Sequence, residues 1–184
     1  MRGKVEHMNI IQTYFQQFDR IAIALSGGMN SAYLLREAVA ALGANRVLAL
    51  TVNGTCMTRT QLELVKKIAA LAGVEHIIIT QETLDYEELQ ENNQHRCTVC
   101  KNRILQAIQE EAWVRGCVQV ATGETCVAVT EREGVCSPYI ELNMDEAAYR
   151  ELRGGEDIPH IGCTLENIPH GMPITYELLE QLKQ

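Results

Sequence analysis

The sequence predicts an α/β protein built on a doubly wound, mostly parallel sheet with helices on both faces. Apolar runs of strand length alternate with helical patterns along the 184 residues. The runs are almost continuously apolar, which is typical of strands that are buried on both faces. Because 46% of the residues are hydrophobic, a chain of this size can fill one core, and we expect a single domain over residues 1–184.

The first elements follow from apolar spacing. Apolar residues recur at helical spacing within residues 10–18, and residues 21–25 are a short apolar run that predicts the first strand. A helical stripe over residues 32–42 follows, with Gly43 as its C-cap. Residues 46–53 are predicted to form the second strand.

A second helix and strand are predicted next. Thr58 and Gln61 form a capping-box pattern at the start of a helical stripe over residues 62–72. Gly73 ends that stripe, and residues 76–80 are predicted to form the third strand. The alternation of helix and strand therefore continues.

The last predicted elements lie in the second half of the chain. Residues 104–112 show a helical stripe, residues 117–123 predict a fourth strand, and residues 135–142 predict a fifth extended segment. We expect Cys117 to lie in the core and Trp113 to pack within its helix.

The loop Ser26-Gly27-Gly28-Met29-Asn30-Ser31 joins the first strand to the next helix, and it predicts an anion site. The first N–H groups of a helix have no partner within the helix, so they bind phosphate well. Gly27 and Gly28 let a phosphate approach the backbone, while the hydroxyls of Ser26 and Ser31 offer further donors. An ordinary glycine turn is the alternative, and neither a Walker motif nor a dinucleotide fingerprint is present.

The SGGxxS loop resembles the pyrophosphate loop of the PP-loop ATP pyrophosphatases, which cleave ATP between the α and β phosphates and adenylylate a substrate. The usual form is SGGxDS, and Asn30 stands at the aspartate position. The resemblance implies ATP and Mg²⁺ as cofactors and a small-molecule substrate. It implies a nucleotide site that includes Ser26, Gly27, Gly28, Asn30, Ser31, Val52 and Gly123.

Cys97 and Cys100 form a Cys-x-x-Cys motif between Arg96 and Lys101 at the start of a predicted helix. Positive charge and a helix N-terminus both favour thiolates. This spacing fits a redox pair, half of a zinc site, two ligands of an iron-sulfur cluster, or two inert cysteines. The late position disfavours a thioredoxin-like role, and single cysteines must complete any cluster because the chain has no second CxxC.

Together with the SGGxxS loop, the RCxxCK segment and residues 159–175 resemble the LarE family of sulfur transferases, which modify a pyridinium dinucleotide for the nickel-pincer cofactor. The resemblance covers residues 21–178. In that family the cysteine that matches Cys163 bears the sulfur, and either gives up its own sulfur or helps to hold a [4Fe-4S] cluster. The resemblance therefore implies Cys163 as the catalytic residue and a cluster on Cys97, Cys100 and Cys163.

The implied reaction is sulfur transfer to an adenylylated carboxylate or carbonyl, with sulfide delivered from the cluster. Two departures stand out: the family's acidic pair after the GTN stretch is absent after Gly123-Glu124-Thr125, and its arginine after the sulfur-bearing cysteine is absent after Cys163. One alternative is a nucleotide-binding sensor or subunit without turnover, which Asn30 suggests. Others are tRNA thiolation and cluster-dependent desulfuration.

Charge and cysteine content limit the classes of partner and the cellular location that we expect. The net charge of −8 without a long basic run disfavours a nucleic acid partner. Seven cysteines without a secretory signal predict a reducing, cytoplasmic location, and no run reaches transmembrane length. We also expect a sulfur donor and a homo-oligomer.

Overall fold

The computed structural model describes residues 10–54, 57–125, 132–152 and 163–182. Within them, five parallel strands form one sheet with the order β3-β2-β1-β4-β5. The strands are β1 (Ile21–Ala24), β2 (Val47–Gly54), β3 (Glu75–Gln81), β4 (Val120–Ala121) and β5 (Val135–Cys136). The predicted parallel α/β sheet is confirmed.

Helices connect the strands. Helix α1 includes residues 10–15 and precedes β1, as predicted from the apolar spacing. The other helices are α2 (Met29–Leu42), α3 (Arg59–Ala72), α4 (Glu87–Gln90), α5 (Arg96–Val114), α6 (Pro138–Glu141), α7 (Glu146–Leu152) and α8 (Tyr176–Leu182). No described helix is both long and apolar enough to cross a membrane.

The core has two layers, one on each face of the sheet. Ile21 and Ile23 of β1 pack in a cluster with residues of α1, α2 and α3. Ala22, between them, belongs to a second cluster with Ile108 and Ala112 of α5. Successive strand residues point to opposite faces, so helices cover the sheet on both sides and the fold is doubly wound.

The strand order reverses at β1. Ile21 of β1 aligns with Val47 of β2 on one side, and Ala22 aligns with Val120 of β4 on the other. The chain crosses first towards β3 and then towards β5, so the carboxyl ends of β1 and β4 form a switch point. In open parallel sheets, ligands bind at this position.

The predicted helix ends agree with the structure. The Thr58 hydroxyl accepts a hydrogen bond from the Gln61 N–H at 3.1 Å, and the Gln61 side chain accepts one from the Thr58 N–H at 2.8 Å. This capping box fixes the start of α3. Gly73 ends α3 in the left-handed conformation with φ of 69°, and Gly43 follows the last residue of α2.

Two predictions about the second half of the chain were wrong in extent. The fourth strand is Val120–Ala121 rather than residues 117–123, because the Cys117 N–H still bonds the Ala112 carbonyl oxygen at the end of α5. The extended segment over 135–142 is a strand only at Val135–Cys136. Pro138 then stands in the first turn of α6, where its fixed φ starts a helix.

Trp113 is 78% exposed, so the expectation that it packs within its helix was wrong. The buried side of α5 includes Leu105, Ile108 and Ala112, and one residue further along a helix points about 100° away. Cys117 is 2% exposed and lies in the core, as predicted.

A third, smaller apolar cluster joins the C-terminal segment, residues 163–182, to the region before α5. Its buried members are Leu84, Leu165, Ile168, Ile174 and Leu179. The cluster places the C-terminal segment beside the start of α5.

Candidate functional site

The SGGMNS loop lies at the switch point, between β1 and α2. Gly27 has a φ of 84°, a left-handed conformation that favours glycine, and a β carbon there would lie 3.2 Å from Val65 Cγ1. Gly28 is the N-cap residue of α2, and no side chain caps the helix. The first N–H groups of α2 therefore lack a side-chain acceptor, which suits an anion.

The two serine hydroxyls hold the loop in shape. Ser31 Oγ donates to the Gly28 carbonyl oxygen at 2.9 Å and accepts from the Ser26 N–H at 3.2 Å. The hydroxyls of Ser26 and Ser31 lie 3.1 Å apart, and the Gly28 N–H donates to Ser26 Oγ at 3.3 Å. These bonds make the loop rigid around the open end of α2.

Gly123 lies directly after β4 and closes the other side of the loop. A β carbon at this position would lie 2.8 Å from the Ser31 backbone nitrogen and 3.1 Å from the Asn30 carbonyl carbon. Only glycine lets the end of β4 pack this closely on α2. The structure therefore brings Gly123, Asn30 and Ser31 together, as the sequence-based nucleotide site requires.

Asn30 joins three elements at the switch point. Its Nδ2 donates to the Gly123 carbonyl oxygen at 3.3 Å, and its own carbonyl oxygen accepts from the Tyr139 hydroxyl at 3.2 Å. Its Oδ1 is buried without a hydrogen-bond partner. An amide oxygen is a ligand that Mg²⁺ accepts, so this unpartnered atom has the chemistry of a magnesium ligand.

Val52 belongs to β2 and lies two residues before its last residue, Gly54. Its side chain is partly buried against the cluster on the α5 side of the sheet. Beyond β4, the Thr122 and Ser137 hydroxyls lie 2.9 Å apart and line the same carboxyl edge.

The CxxC turn, residues 97–100, is the first turn of α5. Cys97 is exposed and Cys100 is half-buried. Next to them, Lys101 Nζ lies 3.0 Å from a carboxylate oxygen of Glu124, the residue after Gly123. Through this ion pair the CxxC turn lies beside the loop that closes the SGGMNS site.

Cys163 lies at the start of a short 3-10 helix, Thr164–Asn167. Its thiol is exposed, and its Sγ accepts a hydrogen bond from the Leu165 N–H at 3.4 Å. The C-terminal segment that carries it is bonded to the start of α5, since Arg96 Nη1 donates to the Ile168 carbonyl oxygen at 2.6 Å. Cys163 and the CxxC turn therefore lie in the same region of the molecule.

The three cysteines do not form a ready ligand set. The part of the chain that the structure describes holds no group of three His, Cys, Asp or Glu side chains arranged to bind a metal ion. Cys97, Cys100 and Cys163 are not joined in disulfides. The thiols as they lie here do not fit a [4Fe-4S] cluster, and the cluster stays a prediction. Cys56, Cys126 and residues 159–162 lie outside the described residues.

Sequence reasoning missed two residues of this region. Asn92 and Tyr139 are fully buried and bond to segments distant in the sequence. Asn92 stands four residues before Arg96, and no sequence pattern marks it as a functional residue. The ring of His76 lies 2.9 Å from the Thr51 hydroxyl, and burial lowers its pKa, so we assign it a structural role.

Comparisons with known proteins support the fold. No protein-family model matches the chain. The chain is 24% identical over 196 residues to the uncharacterized protein slr1717 of Synechocystis sp., covering 99% of this chain and 72% of that protein.

Two solved structures share the fold. The NMN synthetase of Francisella tularensis superposes with a TM-score of 0.65 at 14% identity, over 85% of this chain and 71% of that one. The NH3-dependent NAD synthetase of Campylobacter jejuni superposes with a TM-score of 0.54 at 17% identity, over 67% of this chain. The chain spans 56% of the length of that NAD synthetase. This chain therefore shares the fold of these two synthetases.

Proposed function

We propose that this protein binds ATP at the SGGMNS loop, adenylylates a carboxylate of a small molecule and transfers sulfur to it from Cys163. The observation that carries the proposal is the close packing of Gly123 on Asn30 and Ser31 at the switch point. This packing joins the end of β4 to the uncapped end of α2 at the carboxyl edge of the sheet.

The loop supplies the phosphate site. The N–H groups at the start of α2 and the positive end of its dipole favour an anion. The loop itself contains no cation, and the buried, unpartnered Asn30 Oδ1 is the proposed ligand of Mg²⁺. Magnesium bound there would neutralise charge on the phosphates as pyrophosphate leaves.

The proposed first step is an in-line displacement at phosphorus. A substrate carboxylate oxygen forms a bond with the α phosphorus of ATP, and the bond from that phosphorus to the bridging oxygen breaks to release pyrophosphate. The product is a mixed anhydride, in which AMP has become the leaving group. Backbone N–H groups of a rigid loop stabilise the charge that develops on the phosphate oxygens.

The proposed second step takes place at Cys163. Its thiolate attacks the activated carbonyl, a carbon–sulfur bond forms, and the bond to AMP breaks. Loss of the Cα proton with cleavage of the Cβ–S bond then releases a thiocarboxylate and leaves dehydroalanine at position 163. Exposure of the Cys163 thiol and its place beside the start of α5 support this role.

The substrate class is proposed to be a pyridinium nucleotide. The LarE resemblance implies a pyridinium dinucleotide, and the two solved structures with this fold are by name an NAD synthetase and an NMN synthetase. The acidic net charge of −8 supports a small substrate rather than tRNA.

Pyrophosphate release tests the first step. We expect release with ATP, Mg²⁺ and a pyridinium dinucleotide carboxylate, and a loss of at least about tenfold in Ser31→Ala, which removes the hydroxyl that holds Gly28. Glu63→Ala, on the exposed side of α3, is the control. ATP binding without pyrophosphate release from a panel of carboxylates would support the nucleotide sensor instead, which Asn30 favours.

Mass and metal analysis test the second step. After turnover we expect the peptide with Cys163 to lose H₂S. Iron and sulfide are measured after purification and reconstitution without oxygen. A brown protein that bleaches in Cys163→Ala would support the cluster on Cys97, Cys100 and Cys163 instead, and an intact Cys163 after turnover excludes sacrifice of its sulfur.

A further inference from the structure

We infer that Asn92 and Arg96 are positioning residues, which fix the C-terminal segment on the first turn of α5 and so hold Cys163 near the CxxC turn. The inference rests on the proposed function for its chemistry. Its geometry rests on hydrogen bonds between parts of the chain that are 72 to 80 residues apart.

Asn92 is fully buried, and both polar atoms of its side chain are engaged. Its Nδ2 donates to the carbonyl oxygens of Pro169 at 2.7 Å and Met172 at 2.6 Å, while its Oδ1 accepts from Arg96 Nη1. Its backbone oxygen accepts from the Gly171 N–H at 3.0 Å. One side chain therefore joins the loop over 169–172 to the start of α5.

The backbone at Asn92 also indicates a specific role. Its φ is 52°, in the left-handed region that asparagine tolerates better than most residues. Such a conformation persists where its surroundings hold it firmly. Here the hydrogen bonds of the Asn92 side chain and backbone hold this conformation and direct its amide towards the C-terminal segment.

Arg96 completes the arrangement as a buried cation. It is 5% exposed, and its Nη1 bonds only to neutral oxygens, those of Asn92 and Ile168. No described carboxylate pairs with it, and its Nε is buried without a partner. A buried charge without a counter-ion is costly for folding. Because Arg96 lies beside the CxxC turn and bonds to the C-terminal segment, we infer that it positions this segment.

Apolar packing also holds the C-terminal segment against the region before α5. The buried residues of this cluster are Leu84, Leu165, Ile168, Ile174 and Leu179. Apolar contacts are not directional, so they do not set the register of a loop. The bonds of Asn92 and Arg96 do set it. We call the hydrogen bonds of Asn92 and Arg96 to residues 168–172 the clamp. The clamp and the apolar cluster share Ile168, and together they hold the segment that carries Cys163.

The test measures how readily Cys163 reaches the CxxC turn without any nucleotide present. In protein with Cys56→Ser and Cys126→Ser, diamide takes the hydrogens of two thiols and becomes a hydrazine as the disulfide forms. Peptide mass analysis gives the rate of disulfide formation between Cys163 and Cys97 or Cys100.

A matched pair of variants isolates the clamp. Asn92→Asp keeps the size of the side chain but replaces the NH₂ group with an oxygen. This oxygen cannot donate to the carbonyl oxygens of Pro169 and Met172 and is repelled by them. We expect disulfide formation to slow about tenfold. Asn93→Asp introduces the same charge one residue away and keeps the acceptor for the His95 N–H, so its rate stays at the wild-type value.

Variants of Arg96 provide a second test, which does not depend on whether Asn92→Asp folds. Arg96→Gln, which removes the charge, is expected to slow the reaction about tenfold, and Arg96→Lys to recover part of the rate. Circular dichroism checks each fold. The inference is overturned if the wild type forms no such disulfide, or if Asn92→Asp and Arg96→Gln react as fast as Asn93→Asp.

Failure of the proposed function has a different signature. ATP titration of the same proteins reports on the SGGMNS loop, which the clamp does not touch. Wild-type protein that binds no ATP but shows the clamp dependence would overturn the proposed function alone. Wild-type protein that releases pyrophosphate, with no rate difference between the Asn92 and Asn93 variants, would overturn the clamp alone.

Discussion

Gly123 packs on the first turn of α2 so closely that a β carbon there would lie 2.8 Å from the backbone nitrogen of Ser31. Real β carbons do not come this close to backbone atoms, so any side chain would push β4 and α2 apart. The two elements that flank the switch point are thereby held at the shortest separation that the backbone allows.

Gly123→Ala is expected to damage nucleotide binding more than it damages the fold. Overpacking at a rigid contact costs about 1–3 kcal/mol, and here the displaced atoms are the proposed phosphate donors. We expect ATP affinity, measured by calorimetric titration, to fall more than about tenfold.

Gly73→Ala is the matched control for this substitution. Unlike Gly123, Gly73 has a left-handed φ of 69°, but no heavy atom lies within 4 Å of its added β carbon, and it ends α3 away from the loop. This variant should lose about 1 kcal/mol of stability and bind ATP normally. Equal ATP affinities in the two variants would contradict the proposed role of Gly123.

Asn30→Asp is expected to make the thermal stability of the protein depend on Mg²⁺ with ATP. A carboxylate cannot donate to the Gly123 carbonyl oxygen that Asn30 Nδ2 now bonds at 3.3 Å, so the free energy of unfolding should fall by about 1 kcal/mol. Mg²⁺ with ATP should neutralise the new charge. The melting temperature should therefore rise more on adding MgATP than it does in the wild type or in Asn93→Asp. Equal rises would rule out a metal at this side chain.

Much of this architecture could be predicted because its signals are local. Apolar runs and the capping box at Thr58 depend on neighbouring residues, and the structure confirms both. The extent of the fifth strand could have been predicted more closely, since Pro138 favours the start of a helix. The clamp could not, because Asn92 bonds to Met172, 80 residues away, and no periodic pattern marks such a pair.

Stability in alkali is expected to depend on Cys136. Burial, the main cause, raises the pKa of its thiol from 9.0 to about 11, and the thiol lies 3.5 Å from the Val120 carbonyl oxygen, to which it donates. Above pH 9 the unfolded chain loses this proton before the folded protein does. The free energy of unfolding should thus fall between pH 9 and about 11, by up to about 3 kcal/mol.

Cys136→Ala removes this titrating thiol, together with its contribution to the raised pKa of Tyr14. Urea unfolding at several pH values should give a shallower decline for the variant than for the wild type. The extra loss should be absent below pH 9, where both states keep the proton. Parallel declines would show that Cys136 does not control alkaline stability.

The ion pair between Lys101 and Glu124 is expected to matter for ATP binding rather than for stability. The two side chains are 44% and 28% exposed, so the pair should contribute at most about 1 kcal/mol to folding. Lys101→Glu would instead put negative charge beside the phosphate site. We expect ATP affinity to fall about tenfold at low salt and to fall less at 1 M salt, where charges are screened within about 3 Å.

Combining Lys101→Glu with Glu124→Lys tests whether the charge or the residue matters. The double variant places a cation at position 124, one residue beyond Gly123. Because the attraction between this cation and a phosphate depends on charge and distance, the double variant should recover most of the ATP affinity. Titration with ATP at both salt concentrations measures this recovery. Wild-type affinity in Lys101→Glu alone would mean that bound phosphates lie far from the Lys101–Glu124 pair, and that the CxxC turn does not border the nucleotide.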